Sequence, residues 1–414
     1  MDEAAAHGRR QLTAAALLFW TFAAALAGMP AGTFPPTLLG MLALAVWVLS
    51  LTAFRQAAFL VRQRWLWPVF AMTALPWIGL IYSPDRGGLG LEYAQKTYYW
   101  LYALALASIP PEKFRARHLI TAFLAGLAFN ALFGALQFAG LYPLKSNVAS
   151  GLGRGYSTLS AYLVTGMLIA SFFLRKAESW KARGGLLLLM GVYFFHLVIL
   201  FGRTGYLTFI VLSPLMVRNF FHRTRVWVIA LVCMLLVGAM FLSPVVRERA
   251  ALTVQTLKYH LSAGPDEAWG RKYSPHQDRF FMWHKAASLF CQHPLIGVGT
   301  GGFRSMVRKT SPPGTPLMAH PHNDILYMAV SYGIPGLLVF AWFFGTLLRA
   351  AWRKRDTDAG YFVLSATLVI LFSGLFNAQI LDAGMLFFLA CVVGLLRWVT
   401  SGSEREMQEQ GKID

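Results

Sequence analysis

The sequence predicts an all-α polytopic membrane protein, and three observations support this fold class. First, 57% of the 414 residues are hydrophobic and only 13% are charged, whereas a soluble domain carries about 25% charged residues. Second, apolar runs long enough to cross a bilayer recur along the chain. Third, most Lys and Arg residues lie in short segments between these runs. A soluble protein with buried helices would not combine these features.

We expect about twelve transmembrane helices. The first run follows HGRR and resembles a signal peptide, but a second apolar run begins a few residues later. A retained first helix is therefore the better interpretation. The predicted spans are roughly 12–28, 36–53, 66–82, 97–110, 118–140, 157–174, 184–201, 204–217, 226–243, 323–348, 360–376 and 383–397.

The distribution of basic residues predicts the topology. Seven short segments on one side of the predicted bundle contain 22 Lys and Arg residues, and the short loops on the other side contain five. Because short cytoplasmic loops carry the excess of Lys and Arg, both termini are expected in the cytoplasm. The net charge of +19 is thus a feature of membrane topology, and no nucleic-acid partner is expected.

One long connection divides the chain. We expect helices 1 to 9 in residues 1–243, an outer loop in 244–322, helices 10 to 12 in 323–400 and a cytoplasmic tail in 401–414. The loop contains ten Lys and Arg residues against four Asp and Glu residues. The positive-inside rule does not govern long loops, so this excess attracts either anionic lipid headgroups or an anionic substrate.

Two amphipathic helices are predicted within the outer loop, from SPVVRERAALTVQTLKYHL and QDRFFMWHKAASLFCQH. In the second, the aromatic residues Phe280, Phe281 and Trp283 are expected to lie on the membrane surface while Arg279 points to water.

Two predicted spans, 204–217 and 383–396, have only 14 residues, about 21 Å of helix against a hydrocarbon thickness of about 30 Å. Either the flanking arginines extend to the interface, or the outer turns FGRTG and NAQILDAG are recessed. Recessed turns would place Arg203 at membrane depth, where a charge is usually functional.

The most titratable motif, AHPHNDILYMAVSYG at 319–333, immediately precedes the tenth span. Asn323 or Asp324 fits the N-cap of that helix. The positive end of the helix dipole disfavours protonation of a nearby imidazole. A neutral imidazole, from His320 or His322, can act as a general base. Simple helix capping is the structural alternative.

Metal and thiol chemistry are disfavoured. The HxH spacing fits two metal ligands, but no carboxylate or cysteine stands at ligand spacing beside it, so a zinc site is not expected. Three cysteines are too few for a disulfide framework, and no cofactor is expected. The other histidines of the loop are His260, His276, His284 and His293, and the cysteines are Cys233, Cys291 and Cys391.

The segment HPLIGVGTGGFRSM at 293–306 contains a glycine-rich sequence. A dinucleotide-binding fingerprint requires a preceding strand and a Rossmann helix, and neither is predicted here. We expect a tight turn in which glycines permit close backbone approach.

A dozen spans, a large loop before the tenth, HPLIGVGTGGF and then HNDILYMAVSYGIPGLLVF together resemble the O-antigen ligase family. This family includes O-antigen polymerases and protein O-oligosaccharyltransferases. The resemblance implies a GT-C-like architecture and a site on the periplasmic face of the bacterial inner membrane. It also implies transfer of a polysaccharide from undecaprenyl pyrophosphate to lipid A–core.

The resemblance also implies residue roles. The histidine of the H-N motif falls on His322, the expected base, with His320 as the second choice. The family's essential arginines fall on Arg203 in FGRTG and Arg279 in QDRFFMW, where guanidinium groups suit a pyrophosphate. No paired acidic motif of the metal-binding glycosyltransferase kind stands on the outer face, since the loop pair Asp266-Glu267 is predicted to be solvated, so a metal-independent transfer is expected. Direct attack by the activated hydroxyl would invert the anomeric carbon. Further substrate-binding candidates are Asn323, Arg154, Lys145, Arg304 and Arg308.

Three other functions remain open at this level. A polymerase or a protein O-oligosaccharyltransferase would use the same chemistry on another acceptor. A flippase or transporter also needs a basic cavity, but such proteins usually have broken helices and inverted repeats at a central site. Here the polar residues gather on one face.

Overall fold

The computed structural model describes residues 2–111, 114–144, 148–153, 155–220, 226–262, 277–311 and 317–401. Within these ranges the chain is helical and contains no β-strand, as the sequence predicts. The helices up to the outer loop are α1 (Asp2–Gly28), α2 (Phe34–Leu49), α3 (Thr52–Arg62), α4 (Trp67–Tyr82), α5 (Leu89–Gln95), α6 (Trp100–Ala107), α7 (Ala116–Phe138), α8 (Tyr156–Lys176), α9 (Trp180–Ile199), α10 (Arg203–Phe220) and α11 (Val226–Met240).

Three helices form in the predicted outer loop and three follow it. The six helices are α12 (Pro244–Ser262), α13 (Gln277–Gln292), α14 (Gly302–Thr310), α15 (Asp324–Arg353), α16 (Asp358–Gly374) and α17 (Ala383–Gly394). The two segments predicted as amphipathic helices form α12 and α13.

The chain is a multi-pass membrane protein. Seven of the described helices are long and apolar enough to cross a membrane, and two bent pairs raise this number to nine. The bends are 93° between α2 and α3 and 96° between α11 and α12. The helices α6 and α16 cover predicted spans but are shorter. The expected count of twelve therefore stays a prediction.

The two spans expected to be unusually short are longer in the structure. The helix α10 has 18 residues. After a turn at Leu395, α17 is followed by further helix to Ser401, which gives a span of 19 residues from Ala383. The prediction from apolar runs was wrong because polar residues at the helix ends continue the backbone hydrogen-bonding pattern.

The centre of the bundle contains α8, which is buried over almost its whole length, and α17. Lys176 at the end of α8 forms an ion pair with Asp358 at the start of α16. At the opposite end of the bundle, Asn377 before α17 donates to Ser157 in the first turn of α8. Segments predicted for opposite sides of the membrane therefore lie at opposite ends.

The glycine-rich segment fills a break in α15. This helix changes direction at Gly333, which has φ 66° and ψ −151°. The break leaves the carbonyls of Val330 and Ser331 without helical partners, and the Val298 and Gly299 amides donate to them at 2.8 and 2.9 Å. Ile334 N–H donates to the carbonyl of Pro294 in the HPLIG segment at 2.8 Å. Backbone groups released by the break are thus bonded within the protein, as burial requires.

The same segment also contacts α4, which contains Pro76. Thr300 N–H donates to the Gly79 carbonyl at 3.2 Å, and its hydroxyl donates to the Pro76 carbonyl at 2.6 Å. Gly301 has φ 71°, and a Cβ there would lie 2.3 Å from the Gly90 nitrogen. The expected close backbone approach is therefore present.

Candidate functional site

The two histidines of the HPHND motif lie side by side at the end of the bundle that also contains Ser157. Their ring centroids are 4.3 Å apart. His322 adopts φ 53°, a left-handed conformation that is uncommon for residues other than glycine. Its backbone N–H donates to Nδ1 of His320 at 3.3 Å. The backbone turn at His322 thus fixes the relative position of the two rings.

The next two residues attach this turn to the bundle. Asn323 is the N-cap of α15: its Oδ1 accepts from Leu326 N–H and its Nδ2 donates to the Leu375 carbonyl, both at 2.9 Å. Asp324 is buried, and its Oδ1 accepts from Ile380 N–H at 3.2 Å. The start of α15 is therefore tied to the turn between α16 and α17. Asn323 has a structural role here, and its contact with substrate stays a prediction.

The turn between α16 and α17 also contains Asn377, whose side chain contacts His322. Nδ1 of His322 is 3.3 Å from Oδ1 of Asn377. Nδ2 of Asn377 donates to the hydroxyl of Ser157 at 3.1 Å. The elements that meet at His322 are therefore α8, α15 and the turn before α17.

The two predicted arginines approach the site from separate helices. Arg203 is the first residue of α10, and Arg279 lies in the first turn of α13. The charge of Arg279 acts on Arg203, and it also acts on His320 and His322. Tyr156 at the start of α8 interacts electrostatically with both arginines. The structure thus brings Arg203, Arg279 and the histidines into one electrostatic environment.

A third arginine joins this group. Arg249 on α12 lies over the ring of Phe201, with its guanidinium carbon 4.3 Å from the ring centroid. Its charge acts on Arg203. From the same helix, Thr253 accepts a hydrogen bond from Nη1 of Arg203 at 2.8 Å. The helix α12 therefore supports Arg203 and adds a positive charge beside it.

The packing face of α13 differs from the expected aromatic stripe, although Phe280 is exposed as expected. Its buried face is formed by Met282, Ala286 and Leu289, which pack with Val298 and Val330. Arg279 is half-buried, and this burial lowers the pKa of its guanidinium. The aromatic residues alone suggested a membrane-facing stripe, whereas the intervening small and flexible residues fit the surface formed by α14 and α15.

A further cation near the histidines is Lys96, which directly follows α5. Its Nζ donates to the Leu381 carbonyl at 3.2 Å and pairs with Glu92 at 3.0 Å. The Lys96 charge also acts on His320. Within the described residues, the cations that act on the two histidines are therefore Lys96 and Arg279.

Both imidazoles are held neutral. Burial lowers the pKa of His320 to about 3, and the charges of His322, Lys96 and Arg279 add to this effect. Burial also lowers the pKa of His322; the hydrogen bond with Asn377 opposes this change, and Arg279 adds to it. A neutral imidazole can accept a proton at neutral pH, as a general base must.

Of the remaining basic residues predicted to bind substrate, the two within the described ranges form no hydrogen bond with either histidine. Arg304 on α14 is partly buried, and its charge acts on Tyr93. Arg308, in the last turn of α14, is exposed. Lys145 and Arg154 lie outside the described residues, so their contacts with substrate stay predictions.

The described residues contain no group of three or more side chains placed to hold a metal ion. His276 lies outside the described ranges. All three cysteines are free thiols, as the sequence predicts.

Sequence interpretation did not single out four residues of the site: Asn377, Ser157, Arg249 and Lys96. Arg249 and Lys96 are visible in the sequence as basic residues of outer segments. Asn377 belongs to the short turn NAQILDAG, but its contact with His322 spans 55 positions and depends on how α8, α15 and α16 pack. No local pattern predicts such a contact.

The fold and the site define a class: a multi-pass membrane protein with a cationic, histidine-bearing site at one end of its helix bundle. Residues 187–341 match the model of a protein family described as O-antigen ligase. The expected resemblance to this family is thereby confirmed over those residues, which include Arg203, Arg279, His320 and His322.

A shorter match points in the same direction. Over 69 residues the chain is 33% identical to a Rickettsia conorii protein named as a candidate polysaccharide ligase. The match covers 15% of this chain and spans only 17% of that protein's length.

Proposed function

We propose that this protein is a glycosyltransferase of the O-antigen ligase type. It transfers a polysaccharide from undecaprenyl pyrophosphate to lipid A–core at the periplasmic face of the inner membrane. The observation that carries this proposal is the convergence of Arg203, Arg279 and His322 at one end of the bundle, all within the matched residues 187–341.

The arginines suit the leaving group. A lipid diphosphate is strongly anionic and lies at the membrane surface, where α10, α12 and α13 present Arg203, Arg249 and Arg279. Guanidinium groups contact phosphate oxygens through two parallel N–H donors and stay charged even when partly buried. They would therefore bind the donor and stabilise the charge that develops as the diphosphate departs.

The histidine suits the acceptor. Nε2 of neutral His322 takes the proton of the acceptor hydroxyl, and the hydroxyl oxygen forms a bond to the anomeric carbon of the donor sugar. The bond from that carbon to the diphosphate oxygen breaks, and its electron pair leaves with the lipid diphosphate. Attack opposite the leaving group inverts the anomeric centre. Neutralisation of the diphosphate by arginine makes a divalent metal unnecessary for this step.

The experiment is reconstitution of the purified protein into vesicles with an undecaprenyl-pyrophosphate-linked glycan and three competing acceptors. These are lipid A–core, further lipid-linked glycan and a pilin-like protein. Glycan on lipid A–core is the expected product. Chain extension would instead indicate a polymerase, and glycosylated protein would indicate a protein O-oligosaccharyltransferase. Movement of the donor across the bilayer with no new glycosidic bond would contradict the proposal.

A further inference from the structure

The two histidines of the site use their Nδ1 atoms in opposite ways. In His320, Nδ1 lies 3.3 Å from the backbone nitrogen of His322. That nitrogen is a donor only, so Nδ1 of His320 accepts and is unprotonated. Because a neutral imidazole carries one proton, the proton of His320 is on Nε2.

In His322, Nδ1 lies 3.3 Å from Oδ1 of Asn377. A side-chain amide oxygen is an acceptor only, so Nδ1 of His322 must carry the proton and donate. The second ring nitrogen, Nε2, then has a free lone pair. The two neighbouring rings therefore hold opposite tautomers.

The direction of the contact depends on which atom of the Asn377 amide faces the ring. The Asn377 amide nitrogen donates to Oγ of Ser157 at 3.1 Å. Asn377 precedes α17 and Ser157 lies in the first turn of α8. In this orientation the Ser157 hydroxyl accepts and the Asn377 oxygen faces His322; because a hydroxyl can also donate, the ring-¹⁵N spectrum of His322 distinguishes this orientation from the flipped amide.

The turn that carries Asn377 is itself held in place. Asp324, two residues after His322, is buried and accepts from Ile380 N–H at 3.2 Å. Asn323 donates to the Leu375 carbonyl at 2.9 Å. The segment from 375 to 380 is thus fixed on both sides of Asn377 by residues adjacent to His322.

We infer that Asn377, oriented by Ser157, is a positioning residue that fixes the Nδ1–H tautomer of His322 and so makes Nε2 of His322 the base. We further infer that His320 is the complementary Nε2–H donor, which hydrogen-bonds an oxygen of the bound sugar or diphosphate. This inference rests on the proposed function and assigns distinct roles to two histidines that the sequence distinguishes only by the H-N motif.

The proton balance follows directly. When Nε2 of His322 receives the proton of the acceptor hydroxyl, the ring becomes an imidazolium that still donates from Nδ1 to Oδ1 of Asn377. The amide oxygen stabilises this cation through its dipole, without the full negative charge of a carboxylate. Asn377 stays neutral throughout and does not touch the reacting atoms.

The first test compares three variants in the reconstituted transfer reaction. Asn377→Leu removes the acceptor and frees the ring to adopt the other tautomer, so kcat should fall at least about 10-fold. The fall cannot exceed the roughly 10² to 10⁴-fold that a general base contributes. The KM for donor should change little. Asn219→Leu is the matched control, since Asn219 also donates to a serine hydroxyl, Ser171, but at the opposite end of α8.

The conservative variant Asn377→Asp distinguishes positioning from packing. A carboxylate also accepts from Nδ1–H, so it preserves the tautomer and should restore most of the rate lost in Asn377→Leu. Its negative charge stabilises the imidazolium, so the acid limb of the rate profile should move to higher pH. Equal loss in Leu and Asp variants, with no displacement of the pH profile, would overturn the role of Asn377.

The second test reads the tautomer without any activity. The protein is labelled with ring-¹⁵N histidine, and the spectrum of His322→Gln is subtracted from that of the wild type to isolate His322. A protonated Nδ1 and an unprotonated Nε2 are expected, and Asn377→Leu should populate the reverse tautomer. A protonated Nε2 in the wild type would contradict the inference even if glycan transfer is observed. Absence of transfer with the expected tautomer would instead contradict the proposed function.

Discussion

His320 and His322 meet edge to face, with their ring centroids 4.3 Å apart and their planes at 64°. Two imidazoles this close repel each other when both are protonated, and Arg279 adds a further positive charge. The pair is therefore stable as two neutral rings. This condition makes one of them available as a base in a strongly cationic environment.

The neutral pair predicts a defined pH dependence. The pKa of His320 is about 3 in the folded protein and 6.5 ordinarily. Between these values the unfolded chain binds a proton that the folded chain does not, so stability rises with pH. The contribution of neutral His320 to the free energy of unfolding is complete above pH 6.5 and decreases as the pH falls toward about 3.

Thermal unfolding of the purified protein across this pH range checks the prediction. His320→Gln should flatten the pH dependence of the unfolding midpoint, because glutamine does not titrate. Transfer by the wild type should also continue as the pH falls past 6.5, since the pKa of His322 is lowered from that value. If the unfolding midpoint varies with pH equally in the wild type and in His320→Gln, the result would contradict a buried neutral His320.

The arginine geometry predicts that charge alone is insufficient. Arg279→Lys should reduce kcat nearly as much as Arg279→Ala, by about 10²-fold or more, because a lysine cannot form the paired contacts of a guanidinium. Arg203→Lys should behave in the same way. The measurement is kcat and KM with lipid-linked glycan as the varied substrate.

Arg175→Lys is the matched control for these variants. Arg175 is an arginine of α8 that pairs with Asp356 at 3.1 Å at the opposite end of the bundle, and its replacement should leave transfer unchanged. Near-normal kcat in Arg279→Lys would count against bidentate contacts with the diphosphate.

The glycine-rich segment predicts a structural effect. Gly301→Ala places a side chain at φ 71°, where its Cβ would lie 2.3 Å from the Gly90 nitrogen. The left-handed conformation alone costs about 1–2 kcal/mol, and the backbone contact adds to it. We expect a lower unfolding midpoint and loss of transfer.

Gly87→Ala serves as the control, since nothing lies within 4 Å of its Cβ position. Both variants alter outer segments that meet near α5, so a difference between them reports the combined effect of the left-handed φ and the close approach at Gly301. Equal midpoints for the two variants would show that the backbone contact does not matter.

A metal-free transfer predicts that chelation has no effect. Activity should survive prolonged dialysis against EDTA, because the arginines provide the positive charge at the diphosphate. Transfer rates before and after dialysis, and after addition of magnesium or zinc, check this. Loss of activity that either metal restores would contradict the arginine-only account.

The sequence predicted the helical membrane class, and the family resemblance singled out Arg203 and Arg279, whose roles stay predictions. These features depend on local composition and on short motifs. It also predicted an N-cap at Asn323 or Asp324, because capping is set by residues within one helical turn, and the structure has Asn323 there. It failed for span lengths and for the face of α13, which depend on how helix ends and partner surfaces pack.

The roles of individual site residues were the least predictable part. In sequence only the H-N motif favours His322 over His320, whereas in the structure the contacts with Asn377 and with the backbone between the two histidines distinguish them. The basic residues Arg249 and Lys96 were visible in the sequence, but their proximity to the site follows from the positions of α12 and α5.

The most direct test of the central claim separates donor binding from transfer in lipid nanodiscs. The purified wild type and His322→Ala are each incubated with radiolabelled undecaprenyl-pyrophosphate-linked glycan and lipid A–core, and both bound donor and glycosylated acceptor are measured. The account predicts that His322→Ala binds the donor as tightly as the wild type and forms no detectable product. Product formation by His322→Ala at the wild-type rate would contradict it.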